Sequence, residues 1–376
     1  MNQQHGMNSN IQVGQRELHV QTAFSRTTSK IISNVFEDGR VIETREEPVR
    51  GNVEDKKLQK RIEQFHQNTL KDIELLFFIA EKVRQVKHAL SCNKLGLVFL
   101  KRGFLKEAIE FFTLALQTDP KFVEAYNNLG LALVQEGQLD RAEEFFKKGL
   151  DIESGYADLH LNLAMLHYKR KQYPAAVQSA QAALGINPTY YDAHVYKGLA
   201  LLRSLAEKVT HEELPPLPAR GKEAMDHLER AAQLFKPMSN EAFRQGKTAY
   251  AAEDFESAVK YFEKAYEEAN QKMDMTFDHE FYLKFMYGGK GKDNQFIGGY
   301  VEQLKEAIKN YPEFADLHNN LGIAYLIMCR NLFLKALDEF RLALKINPKF
   351  KKAEKNLKLA ENDGKGFLIL LRALLK

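Results

Sequence analysis

The spacing of apolar residues changes character along this chain. Leu18, Val20, Thr22 and Phe24 alternate with polar neighbours, which predicts a half-buried strand. Two further β-rich runs, Ile31 to Phe36 and Val41 to Thr44, flank Glu37-Asp38-Gly39-Arg40. Asp-Gly between such runs is a hairpin signal, because both residues tolerate positive φ. The pattern gives a three-stranded meander over 17–50 with a disordered tail, 1–16, ahead of it. A meander this small needs a helix to cover it. From Lys56 to Lys87 there is neither Gly nor Pro, and Leu58, Ile62, Phe65, Thr69, Ile73, Leu76, Ala80 and Val83 keep helical spacing. Leu75 to Ala80 is apolar all round. A linking helix over 53–88 is therefore expected to be buried on two sides, between the meander and whatever follows. A partner-binding edge strand is the alternative use of the meander.

From Leu95 onward the pattern repeats. Leu95-Gly96, Phe99, Gly103, Ala108, Phe112, Ala115 and Pro120 recur 34 residues later as Leu129-Gly130, Leu133, Gly137, Ala142, Phe146 and Gly149. They recur again as Leu163-Ala164, His167, Lys171, Ala176, Ala180, Ala183 and Pro188. Weaker copies begin at Gly198, at Gly246 (Ala258, Phe262, Ala265) and at Gly322 (Ala336, Phe340, Ala343, Pro348). This spacing resembles the tetratricopeptide repeat. The resemblance, which spans Ala89 to Pro348, implies a mainly α solenoid of six to seven helical hairpins, some irregular, in which small residues let paired helices approach and Pro stops the second one.

The copies are not uniform. A regular block is expected over 89–203. A Pro-rich insertion (204–220, with Pro215-Pro216 and Pro218) pries apart the helices of the fourth repeat. An irregular block follows over 221–348. In it Gly288-Gly289, Gly291 and Gly298-Gly299 imply a loop, and two extra residues sit near Arg330-Asn331. A polar helix over 349–363, with Ala353, Leu357 and Ala360 on one side, is the expected cap of the solenoid. The tail, 364–376, is apolar.

Composition narrows the function. With a formal net charge of +4 over 376 residues there is no general electrostatic case for nucleic acid. From Lys345 onward nine Lys/Arg meet three Asp/Glu, so the basic excess is confined to the C-terminal end. Two cysteines, Cys92 and Cys329, are too few for a disulfide framework and too far apart in sequence for a zinc site; reduced structural thiols fit a cytoplasmic protein. Met1 to Ser9 lacks an apolar signal core, and no apolar run approaches the 18 residues of a spanning helix.

No catalytic motif is present, so an enzyme is not expected, and neither cofactor nor metal is implied. The run Gly288-Gly289-Lys290-Gly291-Lys292 lacks the order of a phosphate loop. His160, His194 and His318 share the fourth repeat position, where Tyr126 also stands, and read as packing residues rather than ligands.

The resemblance implies that the first helix of each hairpin lines a concave groove. The groove residues are then Asn93, Lys94, Leu97, Asn127, Asn128, Leu131, Asn162, Met165, Tyr196, Leu199, Arg203, Asn319 and Asn320. Asn128, Asn162 and Asn320 share one repeat position and could pair with the backbone of an extended peptide. Leu97, Leu131, Met165 and Leu199 form an apolar stripe. The Lys/Arg clamp of chaperone-tail binders is missing, since Asn93, Asp158 and Asn162 stand at its positions. The expected function is a scaffold or adaptor of bacterial type, which holds a partner peptide or helix and assembles a complex; self-association is compatible with it. The alternative is a membrane-associated assembly factor. Its basic, apolar C-terminus (Phe367, Leu368, Leu371, Leu375) would dock on a partner or rest peripherally on the inner membrane face.

Overall fold

The computed structural model describes the chain except residues 1–5, 15, 51–53, 270–275, 311, 313–314, 347, 350 and 362–376. The apolar tail with Phe367, Leu368, Leu371 and Leu375 lies outside the described residues. The chain divides into two compact units, Met1–Thr276 and Phe277–Lys376.

The first unit opens with four antiparallel strands in sequential order, β1 (Gly6–Val13), β2 (Arg16–Ser25), β3 (Lys30–Glu37) and β4 (Arg40–Pro48). Strand β1 corrects the expected disordered tail. Its inner positions carry only Ile11 and Val13 as buried apolar residues, too few to reveal a strand by alternation, and backbone pairing with β2 supplies the rest. Leu18, Val20, Ile31 and Val35 are fully buried on the covered face. Helix α1 (Asp55–Val86) lies over it through Leu58, Ile62, Ile73 and others. Polar residues share this interface and are satisfied: Thr22 meets Ser33 and His66 at 2.8 Å each, and His66 reaches Ser9 at 2.9 Å.

Helix α1 also reaches the first repeat. Phe77 packs edge-on to Phe99 and Phe104, 5.4 and 5.5 Å between ring centroids. The buried Arg102 guanidinium donates to both oxygens of Glu43 on β4 (3.0 and 3.2 Å) and pairs with Asp72 on α1 at 3.1 Å. One cation thus locks sheet, helix and solenoid together.

Three hairpins follow: α2 (Ala89–Lys101) with α3 (Leu105–Thr118), α4 (Val123–Glu136) with α5 (Leu139–Ile152), and α6 (Ala157–Lys169) with α7 (Tyr173–Ile186). Their turns each place one residue in the left-handed region: Gly103, Gly137 and Lys171. Within the first two, Gly96 faces the Phe112 ring and Gly130 the Phe146 ring so closely that a methyl group would collide. The fourth repeat position ties each copy to the loop before it. Tyr126 donates to the carbonyl of Pro120 (3.1 Å), His160 to that of Ser154 (2.9 Å) and His194 to that of Pro188 (3.1 Å). Each reach spans six residues.

Helices α8 (Tyr191–Ala206) and α9 (Leu217–Leu234) remain a packed pair, with Gly198 against Leu228, although the Pro-rich segment lies between them. Arg220, 2% exposed, gathers that segment by donating to the carbonyls of Pro215 (2.9 Å) and Val209 (2.8 Å). The insertion is thus carried as a laced loop instead of separating the helices. The pair α10 (Glu241–Ala251) and α11 (Phe255–Ala269) closes the unit, with Gly246 against Phe262.

The second unit holds α12 (Thr276–Met286), α13 (Asn294–Asn310), α14 (Ala315–Ile346) and a helix over 351–361. Phe281 stacks on Tyr300 at 3.7 Å between centroids. Gly298-Gly299, expected in a loop, lie inside α13, because Asp293 caps the helix upstream of them by accepting from the Phe296 N–H at 3.0 Å. The larger correction is α14. The last copy is not a hairpin but one continuous helix of 32 residues. The segment around Arg330 holds no glycine. Both side chains at the expected turn are tied to the segment that opens α13: the Arg330 guanidinium donates to the Gly291 carbonyl at 2.6 Å, and the Asn331 amide to Asn294 at 3.0 Å. By length and composition α14 is also the one described helix able to cross a membrane, although no uninterrupted apolar run in it is long enough to predict this. Cys92 is buried, whereas Cys329 on α14 is exposed rather than structural.

Candidate protein-binding groove

The first helices of the hairpins, α2, α4, α6 and α8, stand side by side in the first unit and carry the expected groove residues. Their asparagines do not stand free. Asn93 is fully buried, and Asn127, Asn128 and Asn162 nearly so. The Asn128 amide donates to the Asn93 carbonyl oxygen at 2.9 Å, and the Asn162 amide to Asn127 at 2.7 Å, while Asn93 donates to Glu124 at 2.9 Å. The two amide–amide bonds run from a repeat to the one before it, and the Asn93 bond runs forward to the next. A polar seam between copies is satisfied internally, which removes the cost of burying those amides.

Beside the seam Leu97, Leu131 and Met165 are half-buried, one per repeat. Lys94 is half-buried beside Leu97, and Lys101, Gln135 and Lys169 are exposed at the rim. Apolar side chains left partly open in a row, with polar groups around them, form a surface for apolar anchors.

The fourth position of the row is closed. Leu199 is 2% exposed because α11 packs on α8, placing its own side chains over the groove. Tyr168 donates to Glu263 at 2.5 Å, and Arg203 reaches both oxygens of Glu263 at 3.2 Å. Tyr266 donates to Asp192 at 2.5 Å and lies edge-on to Tyr196, 5.7 Å between centroids. Burial, with Asp192 nearby, pushes the Tyr196 phenol up to about 12, so it stays protonated. Tyr196, Leu199 and Arg203 therefore hold the chain's own α11. Sequence spacing missed this occupant, since α11 reads as an ordinary second helix; the acidic and aromatic pair Glu263 and Tyr266, facing outward from such a helix, was the available signal. Asn319 and Asn320 belong to the second unit, where Asn320 donates to Asp278 at 3.0 Å and Asn319 is exposed.

Two histidines meet on α8 and α9, His194 Nδ1 and His227 Nδ1 lying 2.8 Å apart. His194 Nε2 donates to Pro188, so its Nδ1 accepts from His227. Burial, aided by Lys197, pushes His227 down to about 4. Among the described residues no group of three or more His, Cys, Asp or Glu could hold a metal ion.

Residues 99–151 and 133–202 match the tetratricopeptide repeat. Among solved structures the chain is similar to MamA (22% identity, covering 46% of this chain and 93% of that one, TM-score 0.35). It is also similar to PilF of Pseudomonas aeruginosa (20% identity, 61% and 95%, TM-score 0.38). A third is YrrB, described as a tetratricopeptide-repeat protein with an unusual peptide-binding site (17% identity, 54% and 97%, TM-score 0.35). No curated protein matches the chain.

Proposed function

We propose that this tetratricopeptide-repeat chain is a scaffold that holds a partner segment on the groove formed by α2, α4 and α6, through Leu97, Leu131 and Met165. The observation that carries the reading is the contrast within one row: the fourth member, Leu199, is covered by α11, whereas the first three remain partly open. A surface that takes a helix of its own chain at one end has the shape and chemistry to take a foreign segment along the rest. Neighbouring helices pack roughly 8–10 Å apart. Successive anchors on the ligand would then fall about every third residue in an extended segment, at ~3.3 Å per residue, or at i and i+7 in a helix, at ~1.5 Å per residue. The asparagine seam sets the spacing of the helices, and the apolar row does the binding.

The test is quantitative binding of the co-purifying partner to the full chain and to Leu131→Asp. A loss of affinity of about tenfold or more, with α-helix content unchanged, is expected, since a buried apolar anchor contributes roughly 1.5–3 kcal/mol. Equal binding by both proteins overturns the groove.

A further inference from the structure

We propose that the chain pairs with a second copy of itself through α14, the two helices lying antiparallel about a two-fold axis near Asn331. In the first unit, the repeat's glycine and aromatic meet within one hairpin: Gly96 with Phe112, Gly130 with Phe146, Gly246 with Phe262. These partners are 16 residues apart. In the last copy the same two residues are Gly322 and Phe340, 18 apart on one unbroken helix, hence about 27 Å from each other at ~1.5 Å per residue. Neither can reach its counterpart. A methyl group added at Gly322 would meet nothing, and Phe340 is only half-buried.

The rest of that face is complementary to itself. Gly322, Cys329 and Ala336 recur every seven residues and are small; Leu326, Phe333 and Phe340 recur every seven on the adjoining line and are large. Such alternation is the pattern of a two-helix seam. With the axis near residue 331, every layer sets a large side chain against a small one: Phe340 on Gly322, Phe333 on Cys329, and Leu326 on Ala336 of the second copy. The symmetry repeats each contact, as an isologous interface requires. Helix α13 holds α14 through Asn331 on the side opposite the seam, and its Lys305 reaches Tyr325 at the seam's flank. Leu332, flanking the seam, is 61% exposed.

The chain's own apolar terminus fits this face poorly. Phe367 to Lys376 is ten residues, whereas the seam runs over nineteen, Gly322 to Phe340. It carries one small residue, Ala373, where the seam demands several. A bilayer fits no better, because Arg330 and Asn331 sit at the middle of α14, bonded to Gly291 and Asn294.

The experiment uses the full chain. Light scattering at micromolar concentration should give twice the chain mass, and Phe340→Glu should give the monomer with helix content intact. Ile346→Glu, which alters an exposed residue off the seam, should leave the dimer unchanged. In a Cys329→Ala background, the pair Gly322→Cys and Phe340→Cys should form a disulfide between chains on mild oxidation. A monomeric wild type overturns the proposal. So does a disulfide within one chain, which would mean that the hairpin closes on itself, or a dimer without that cross-link. Sedimentation of the wild type with phosphatidylglycerol vesicles, abolished by Phe340→Glu, assigns the face to lipid and likewise overturns it.

Discussion

Two of the copies that depart from the regular spacing end oppositely. In the fourth, the segment from Glu207 to Pro216 separates α8 from α9, yet the hairpin is intact. In the last, two extra residues suffice to fuse both helices into one. Loop length is therefore not what decides. Each doubling of a loop costs only about 0.6 kcal/mol, and Arg220 recovers part of it by bonding loop carbonyls. What decides is whether the chain contains residues that stop a helix. The fourth copy has Lys208 in the left-handed region and Pro215-Pro216 ahead of α9. Around Arg330 there is neither Pro nor Gly, and the helix continues, with Arg330 and Asn331 bonded to Gly291 and Asn294.

The strongest way to break this comparison is to give the last copy a turn. Deleting Arg330 and Asn331 and replacing Leu332 with glycine restores the 16-residue spacing and supplies the missing stop. Spin labels at His318 and Leu342, about 36 Å apart on the continuous helix, should then approach to roughly 10 Å. A distance still near 36 Å would show that the turn residues are not the cause.

Next in size is the aromatic knob. Phe146→Ala removes a fully buried ring and should cost about 3–5 kcal/mol in urea unfolding. Phe340→Ala in the last copy should cost clearly less at concentrations where the chain is monomeric. Equal losses would mean that Phe340 finds its glycine after all.

The fourth copy carries a pH limit of its own. The folded-state pKa of His227 lies near 4, below its ordinary 6.5, so the neutral form is the one that stabilises. That contribution is whole above about pH 6.5 and is lost as pH falls toward 4, a change of ~2–3 kcal/mol. Hydrogen exchange of α9 should accelerate over that window in the wild type and not in His227→Gln.

Smallest is a pair of alanine substitutions with opposite signs. Gly130→Ala drives a methyl into the Phe146 ring and should destabilise by about 1–3 kcal/mol. Gly322→Ala meets open space within a helix and should stabilise the monomer by about 0.5–1 kcal/mol. Thermal melts of both read the comparison directly.

Much of this architecture was legible in advance. The 34-residue recurrence marked the hairpins because Gly96 and Phe112, or Gly130 and Phe146, are a contact written in sequence. The meander from Leu18 to Thr44 was visible through alternation, but β1 was not, since a polar Ser9, bonded to His66, interrupts its inner face and leaves Ile11 and Val13 as its buried apolar residues. The geometry of the candidate groove was half legible. Position within the repeat identifies Leu97, Leu131 and Met165, but it cannot say that Asn93 and Asn128 would bond each other, nor that Leu199 would be covered. Both depend on which copy packs on which, a matter of tertiary geometry. The fused α14 escaped for a related reason: a repeat pattern records which residues would touch if a turn existed, and says little about whether it does.

Helix α11 gives the groove an end. A segment entering beside α2 meets Leu97, then Leu131, then Met165, and there runs against Glu263 and Tyr266. The anchors at the two extremes stand roughly 16–20 Å apart if three helices pack at 8–10 Å, the reach of about six extended residues. Under the proposed function, a surface of that length would measure its ligand. A short terminus can seat fully with its last residue against α11, whereas a longer internal segment must turn away at Met165, and that difference would make the protein a reader of chain ends.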